Sequence, residues 1–150
     1  MKKYTACLLA ATALTLAVPA SAQFSKPENA IKYRQSVMFV MAQNFGRVAG
    51  MTGGKIPFDA KVAAESAAVA EYLSKLPWAG FGPGTDLGDT KAKPEIWTNK
   101  AKFDDYAKKM QTEIAKLAVA TKTGNLDSIK LAVNATSGTC KSCHDDFQAN

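Results

Sequence analysis

Histidine is nearly absent from this chain: His144 is the only one in 150 residues. Cysteine is scarce too, at three, and one of these, Cys7, lies close to the N-terminus. A structural zinc site needs four ligands, and two thiols with one imidazole do not supply them. The single imidazole also argues against a zinc enzyme. The basic residues are scattered, without a run of five or six, so nucleic-acid binding has no support. No apolar stretch approaches the ~20 residues of a membrane-spanning helix. Repeats, low-complexity tracts and a second hydrophobic span are also missing.

The scarce residues are gathered in one place. Residues 140–144 read Cys140-Lys141-Ser142-Cys143-His144. This is Cys-x-x-Cys-His, the attachment signature of a c-type haem. Two thiols must add across the two vinyl groups of one porphyrin, and an imidazole beside the second thiol must reach the iron. On a helix, positions three and four apart share a face, so Cys140, Cys143 and His144 project together. A thioredoxin-like use of the pair would need a βαβ setting, and nothing in the chain reads as parallel strands. The remaining alternative is a plain disulfide between Cys140 and Cys143.

The N-terminus predicts a matching address. Lys2 and Lys3 precede an apolar run over residues 6–18, and Pro19 and Ala20-Ser21-Ala22 follow. A basic start, a short apolar stretch and an Ala-x-Ala site make a secretory signal peptide, with cleavage expected after Ala22. Cys7 precedes the apolar run and is poorly placed for lipid attachment. The mature chain, 23–150, is expected to be one periplasmic domain without membrane insertion. Loss of Lys2 and Lys3 takes Lys+Arg from 19 to 17 against 13 acids, a formal charge of +4.

Apolar spacing predicts four helices. Pro27 sits at the first turn of one whose stripe is Ile31, Arg34, Met38, Met41, Phe45 and Val48. A second stripe, Tyr33, Val37, Val40 and Asn44, makes this helix apolar almost all round, as expected of a central core helix or a subunit interface; the interface is preferred. Gly53-Gly54 and Pro57 end it, and Asp59 is the expected N-cap of a second helix. The predicted buried face there is Val62, Ser66, Val69, Leu73 and Leu76, with Pro77 as the stop. Residues 77–97 are too rich in Gly and Pro for a helix, and Trp78, Phe81 and Trp97 should pack this loop down. A third helix begins near Asn99, buries Phe103, Tyr106, Met110, Ile114, Leu117 and Thr121, and stops at Gly124. Asn125 caps a fourth, with the stripe Leu126, Ile129, Val133, Thr136, Cys140, Cys143 and Phe147. The cysteines thus fall on a core face, which places haem inside a four-helix bundle.

Only six residues follow His144 and none is methionine, so a sixth iron ligand must come from upstream: Met38, Met41, Met51 or Met110. Met38 and Met41 lie on the first helix and are either core filler or ligands. Without a methionine, iron is five-coordinate and high-spin beneath an apolar pocket. Such a pocket favours NO, and CO in the ferrous state, over stable oxygen binding. Arg34 interrupts an apolar stripe; it either meets a haem propionate, with Gln35 beside it as a donor, or snorkels to the surface. Asp89 and Glu95 are weaker candidates for the haem edge.

The mature chain resembles the cytochrome c′ family, the high-spin branch of the class II, C-terminal-haem cytochromes. The likeness rests on Gln23-Phe24, Lys32-Tyr33-Arg34-Gln35-Ser36 and Phe45-Gly46-Arg47. It extends through the loop Leu76-Pro77-Trp78-Ala79-Gly80-Phe81-Gly82-Pro83-Gly84-Thr85, then Pro94-Glu95-Ile96-Trp97, and closes on Cys140 to Phe147. The resemblance implies an all-α, antiparallel four-helix bundle, usually a homodimer built on the first helix. It implies one haem c held by Cys140 and Cys143, His144 as proximal ligand, Arg34 and Gln35 near the propionates, and Met38 at the distal position. It further implies NO and CO binding or electron passage to a partner protein, rather than catalysis. Two departures stand out. Met38 could ligate iron, giving a low-spin electron carrier. Gln148 occupies a position, four after the proximal histidine, that is often basic, a change expected to alter ligand exchange on the proximal face. A peroxidase-like enzyme lacks its distal histidine.

Overall fold

The computed structural model describes residues 23–149; the expected signal peptide, 1–22, lies outside the described residues. Four long helices build the fold: α1 (Pro27–Thr52), α2 (Ala60–Leu73), α4 (Lys100–Thr121) and α5 (Leu126–Phe147). Between α2 and α4 the chain forms a single 3-10 turn, Pro77–Gly80, and a four-residue helix, α3 (Glu95–Thr98). No strand is formed among the described residues, apart from one isolated bridge between Ala92 and Gln148.

The helix ends follow local chemistry. Pro27 opens α1, where its missing N–H costs nothing. Asp59 caps α2 by accepting from Val62 N at 3.0 Å, and Asn125 caps α5 by accepting from Ser128 N at 2.9 Å. Gly124, at φ +67°, makes the reversal between α4 and α5 that a residue with a Cβ resists. Ser137 and Gly138 do not interrupt α5.

Each long helix packs on two neighbours, α1 on α2, α2 on α4, α4 on α5 and α5 on α1, which closes a square antiparallel bundle. The core changes character along its axis. At the closed end lie Val48, Ala67, Leu117, Ile129 and Val133. In the middle, Met41, Ala70, Met110 and Ile114 pack with Cys140. At the end covered by the loop, Ile96, Phe103 and Phe147 join Trp78, Phe81 and Cys143. Each large aliphatic side chain in this series contributes ~1.5–3 kcal/mol of transfer free energy.

The buried face of α2 differs from the expected one. It is Ala63, Ser66, Ala67 and Ala70, while Val69 is 43% exposed and the helix stops at Leu73, before Leu76. Small side chains let α2 lie close to α1 and α4, because interaxial distance depends on the residues at the contact. Its bulk is thereby turned outward: Tyr72 is 65% exposed. The second stripe of α1 also divides. Val37 is buried, whereas Val40 and Phe39 face solvent, Phe39 at 63% exposure.

Candidate haem site

Cys140, Cys143 and His144 lie on the last two turns of α5, as the spacing requires. Neither cysteine is in a disulfide, and both are half-buried. Burial pushes both thiols up, Cys143 to about 11, with the nearby Cys140 as a smaller cause. Cys143 and the exposed His144 border a cavity of about 460 Å³ between α1, α5 and the loop. Trp78, Phe81, Ile96, Phe103 and Phe147 form its aromatic and apolar wall. Phe103 is the hinge of that wall, with ring centroids 4.9 Å from Phe81, 5.6 Å from Trp78 and 5.4 Å from Phe147.

From α1, Arg34, Gln35, Met38 and Phe39 complete the lining. Of the four methionines that could reach a cofactor, only Met38 lines the cavity; Met41, Met51 and Met110 are buried in the core. A flat apolar macrocycle requires apolar surfaces, two thiols and an imidazole beside them. The apolar wall, Cys143 and His144 line the cavity, and Cys140, one turn earlier on α5, packs in the adjoining core, so the residue types fit the group.

The charged and polar rim corrects the sequence reading in detail. Arg34 is buried, at 3% exposure, so it does not snorkel. Both terminal nitrogens of its guanidinium are held by neutral oxygens of the loop. Nη1 donates to Gly80 O at 2.7 Å and Thr85 Oγ1 at 2.9 Å, and Nη2 donates to Thr85 O at 2.8 Å and Thr90 Oγ1 at 2.7 Å. The group stacks 4.5 Å over the Phe81 ring. Burial lowers its pKa, and the charge of Asp86 opposes the shift. The loop can come this close because of Gly80: a Cβ there would meet Ala30 O at 2.7 Å and Arg34 Cβ at 2.8 Å.

Gln35 donates to Asp89 O at 2.8 Å. Asp89 thus contributes its backbone and leaves its exposed carboxylate outside the cavity. Glu95 is likewise exposed at the start of α3; the residue that turns inward is its neighbour Ile96. Thr90, Lys91 and Ala92 are cavity-lining residues that the sequence does not single out, since nothing local marks which part of a long loop folds inward. Near the cysteines, Asp146 receives Tyr106 Oη and Lys102 Nζ, both at 2.8 Å, and these two bonds hold its pKa below the usual carboxylate range. They fasten α4 to the turn that carries His144.

Known proteins share this arrangement. The family profile described as cytochrome c′ matches residues 29–148. A cytochrome c′ from Rubrivivax gelatinosus is 54% identical over 127 residues, spanning 84% of this chain and 98% of the relative. The crystal structure of cytochrome c′ from that organism superposes with a TM-score of 0.82 at 53% identity, covering 85% of this chain and 100% of that one. A nitric oxide complex of a leucine-to-alanine mutant of cytochrome c′ from Alcaligenes xylosoxidans superposes with a TM-score of 0.79 at 42% identity, covering 85% and 98%. With its bundle, its paired thiols and its aromatic cavity, the chain belongs to the cytochrome c′ family, whose cofactor is one covalent haem c.

Proposed function

We propose that the protein is an exported, periplasmic gas-binding haem protein that takes NO, and CO when reduced, at an apolar site, and that it acts as a binder or carrier and not as an enzyme. Residues 1–22 direct export and are removed, and residues 23–150 form the working domain. Cys140 and Cys143 hold the haem, and His144 supplies the imidazole that ligates its iron. Bound there, the haem supplies an iron with one coordination position free for a small ligand. Met38 and Phe39 exclude water and larger molecules from that position. Arg34 and Gln35 edge the cavity where the propionates would lie, and Arg34 does so while already committed to the loop. No second histidine exists to move a proton on the ligand side, which removes the acid–base group of a peroxidase.

The observation that carries this reading is the wall that α1 gives the cavity: it is apolar at Met38, Phe39 and Ala42, and α1 brings no imidazole or carboxylate to face His144 across it. The same lining favours one alternative. Met38 is the only methionine of the described residues that lines the cavity, and a thioether on iron would make a low-spin electron carrier serving a redox partner. Optical and EPR spectra of the wild type and of Met38→Ala, before and after NO, separate the two. For a gas binder, both proteins are high-spin and take up NO. A low-spin wild type that turns high-spin on Met38→Ala would move the function to electron transfer.

We further propose a homodimer through the α1 face. Phe39 and Val40 on α1 and Val69 and Tyr72 on α2 are exposed apolar side chains on adjoining helices, a surface that a second copy of the chain would cover. Sedimentation at micromolar concentration is expected to give a dimer that Phe39→Lys with Tyr72→Lys converts to monomer. A wild-type monomer at that concentration would remove the dimer.

A further inference from the structure

The C-terminal end of α5 is built against its own helix dipole. Its last turn carries Asp145 and Asp146 at the end where unpaired carbonyls already concentrate negative charge. His144 lies in this turn, and its carbonyl accepts from Gln148 N at 2.9 Å. The carbonyls that follow have no helical successor, and two of them are taken by one residue of the distant loop. Lys93 donates its backbone N–H to Phe147 O at 3.0 Å and its ammonium Nζ to Asp145 O at 3.0 Å. Ala149 N returns a bond to Lys91 O at 2.8 Å, which completes a short strap around the Ala92–Gln148 bridge.

We infer that Lys93 is a positioning residue for His144: it is the C-cap of the haem-bearing helix, supplied from the loop. The assignment rests on the proposed role of His144 as iron ligand. Three features point to it. The cap is bidentate, with one neutral and one charged donor on successive parts of the same residue. It places a cation directly on the carbonyls of the helix end, where a cation is favourable, while the two acids there are paired elsewhere, Asp145 with Lys141 and Asp146 with Lys102. And it is tied back to α1: Thr90 Oγ1 accepts both Ala92 N, at 3.1 Å, and Arg34 Nη2. The strap also walls a second, polar cavity of about 440 Å³ behind the imidazole, lined by Lys91, Lys93, His144, Asp145 and Gln148. Loosening the cap would let the last turn fray into that space, and the imidazole would fray with it.

The test uses the haem-loaded protein and compares Lys93→Met, which keeps the N–H and the aliphatic stem, with Lys93→Arg, which keeps the cation. Two readouts report the His144 turn: the iron–imidazole stretching band of the ferrous protein, and hydrogen exchange of the Gln148 amide. Lys93→Met should broaden or shift the band and speed the exchange roughly three- to tenfold, the range of one ordinary hydrogen bond, because this exposed one is weakened by water. Lys93→Arg should restore both. Ala149→Pro removes the other strap donor at a position whose predecessor, Gln148 at φ −119° and ψ 131°, already suits a following proline, and it should move the band in the same direction. A band and an exchange rate unmoved in Lys93→Met overturn the assignment, as does an equal change in Lys93→Arg. Absence of an iron–imidazole band in the wild type would instead overturn His144 as ligand.

Discussion

Replacing Arg34 by methionine will lower the free energy of unfolding by ~3–4 kcal/mol, the scale of losing a buried network of four hydrogen bonds from a charged donor. Methionine fills much of the arginine's volume, so the loss is that of bonds and not of packing. Four oxygens, those of Gly80, Thr85 (backbone and Oγ1) and Thr90, lose a charged donor at once. Thr90 Oγ1 keeps its bond from Ala92 N and Thr85 Oγ1 its bond to Gly82 O, whereas the two carbonyls are orphaned at ~1–3 kcal/mol each if they stay dry. The total falls below that sum because the loop can open and admit water. Lysine will not rescue it. A single ammonium has three donors on one atom and lacks the planar fork that reaches both sides of Thr85, so Arg34→Lys should recover less than half of the loss. Urea unfolding of the haem-loaded proteins measures the change, and protease cleavage within residues 80–90 reports the open loop. A Met variant within 1 kcal/mol of wild type, with the loop still resistant, would show that the guanidinium does not hold the loop.

Arg34 also shows where a sequence stops speaking. What could be read from the chain was local. Asp59, Asn125 and Gly124 mark helix ends within three or four residues of themselves, and the structure uses all three as caps or turns. The cysteines and histidine were legible as a unit because their chemistry fixes their spacing on one helix. The stripe of α4 survived for the same reason, with only Tyr106 left half-buried at the edge. Arg34 could be seen to sit in an apolar stripe, but its partners lie 46 to 56 residues away and are ordinary loop oxygens. No periodicity encodes them. The face of α2 was misjudged for a related reason. Hydrophobicity alone favours Val69 over Ala63, yet close approach to two helices selects for small side chains and leaves the larger ones on the outer face. The donor that caps α5 was invisible altogether, since Lys93 resembles any other loop lysine until the fold brings it to the helix end.

The largest effect is expected at the thiols. Cys140 and Cys143 would each hold the haem by one thioether, made by adding S–H across a vinyl double bond with the hydrogen going to the neighbouring carbon and no net oxidation. Cys140→Ser should leave the haem held by one bond and Cys143→Ser likewise, while the double variant should hold none covalently. Mass spectrometry of the denatured chain reads this directly, as the presence or complete loss of the haem mass. The two single variants should not be equivalent. Cys143 borders the cavity within the aromatic cluster, whereas Cys140 packs beside Met41 and Met110 in the middle of the core. A polar serine at the second position is enclosed by methionine and aliphatic side chains, and burying it there costs ~1–3 kcal/mol unless it finds a partner. Cys140→Ser is therefore expected to melt lower than Cys143→Ser when both retain haem. The double variant adds a second cost, because the cavity of about 460 Å³ is left without its filling. Its aromatic wall then faces water in place of the cofactor, and a domain is stable by only ~5–15 kcal/mol, so the double variant should keep helix but melt lower and less cooperatively. A double variant that still carries covalent haem, or one that melts like the wild type, would show that neither the thiols nor the cavity hold the cofactor.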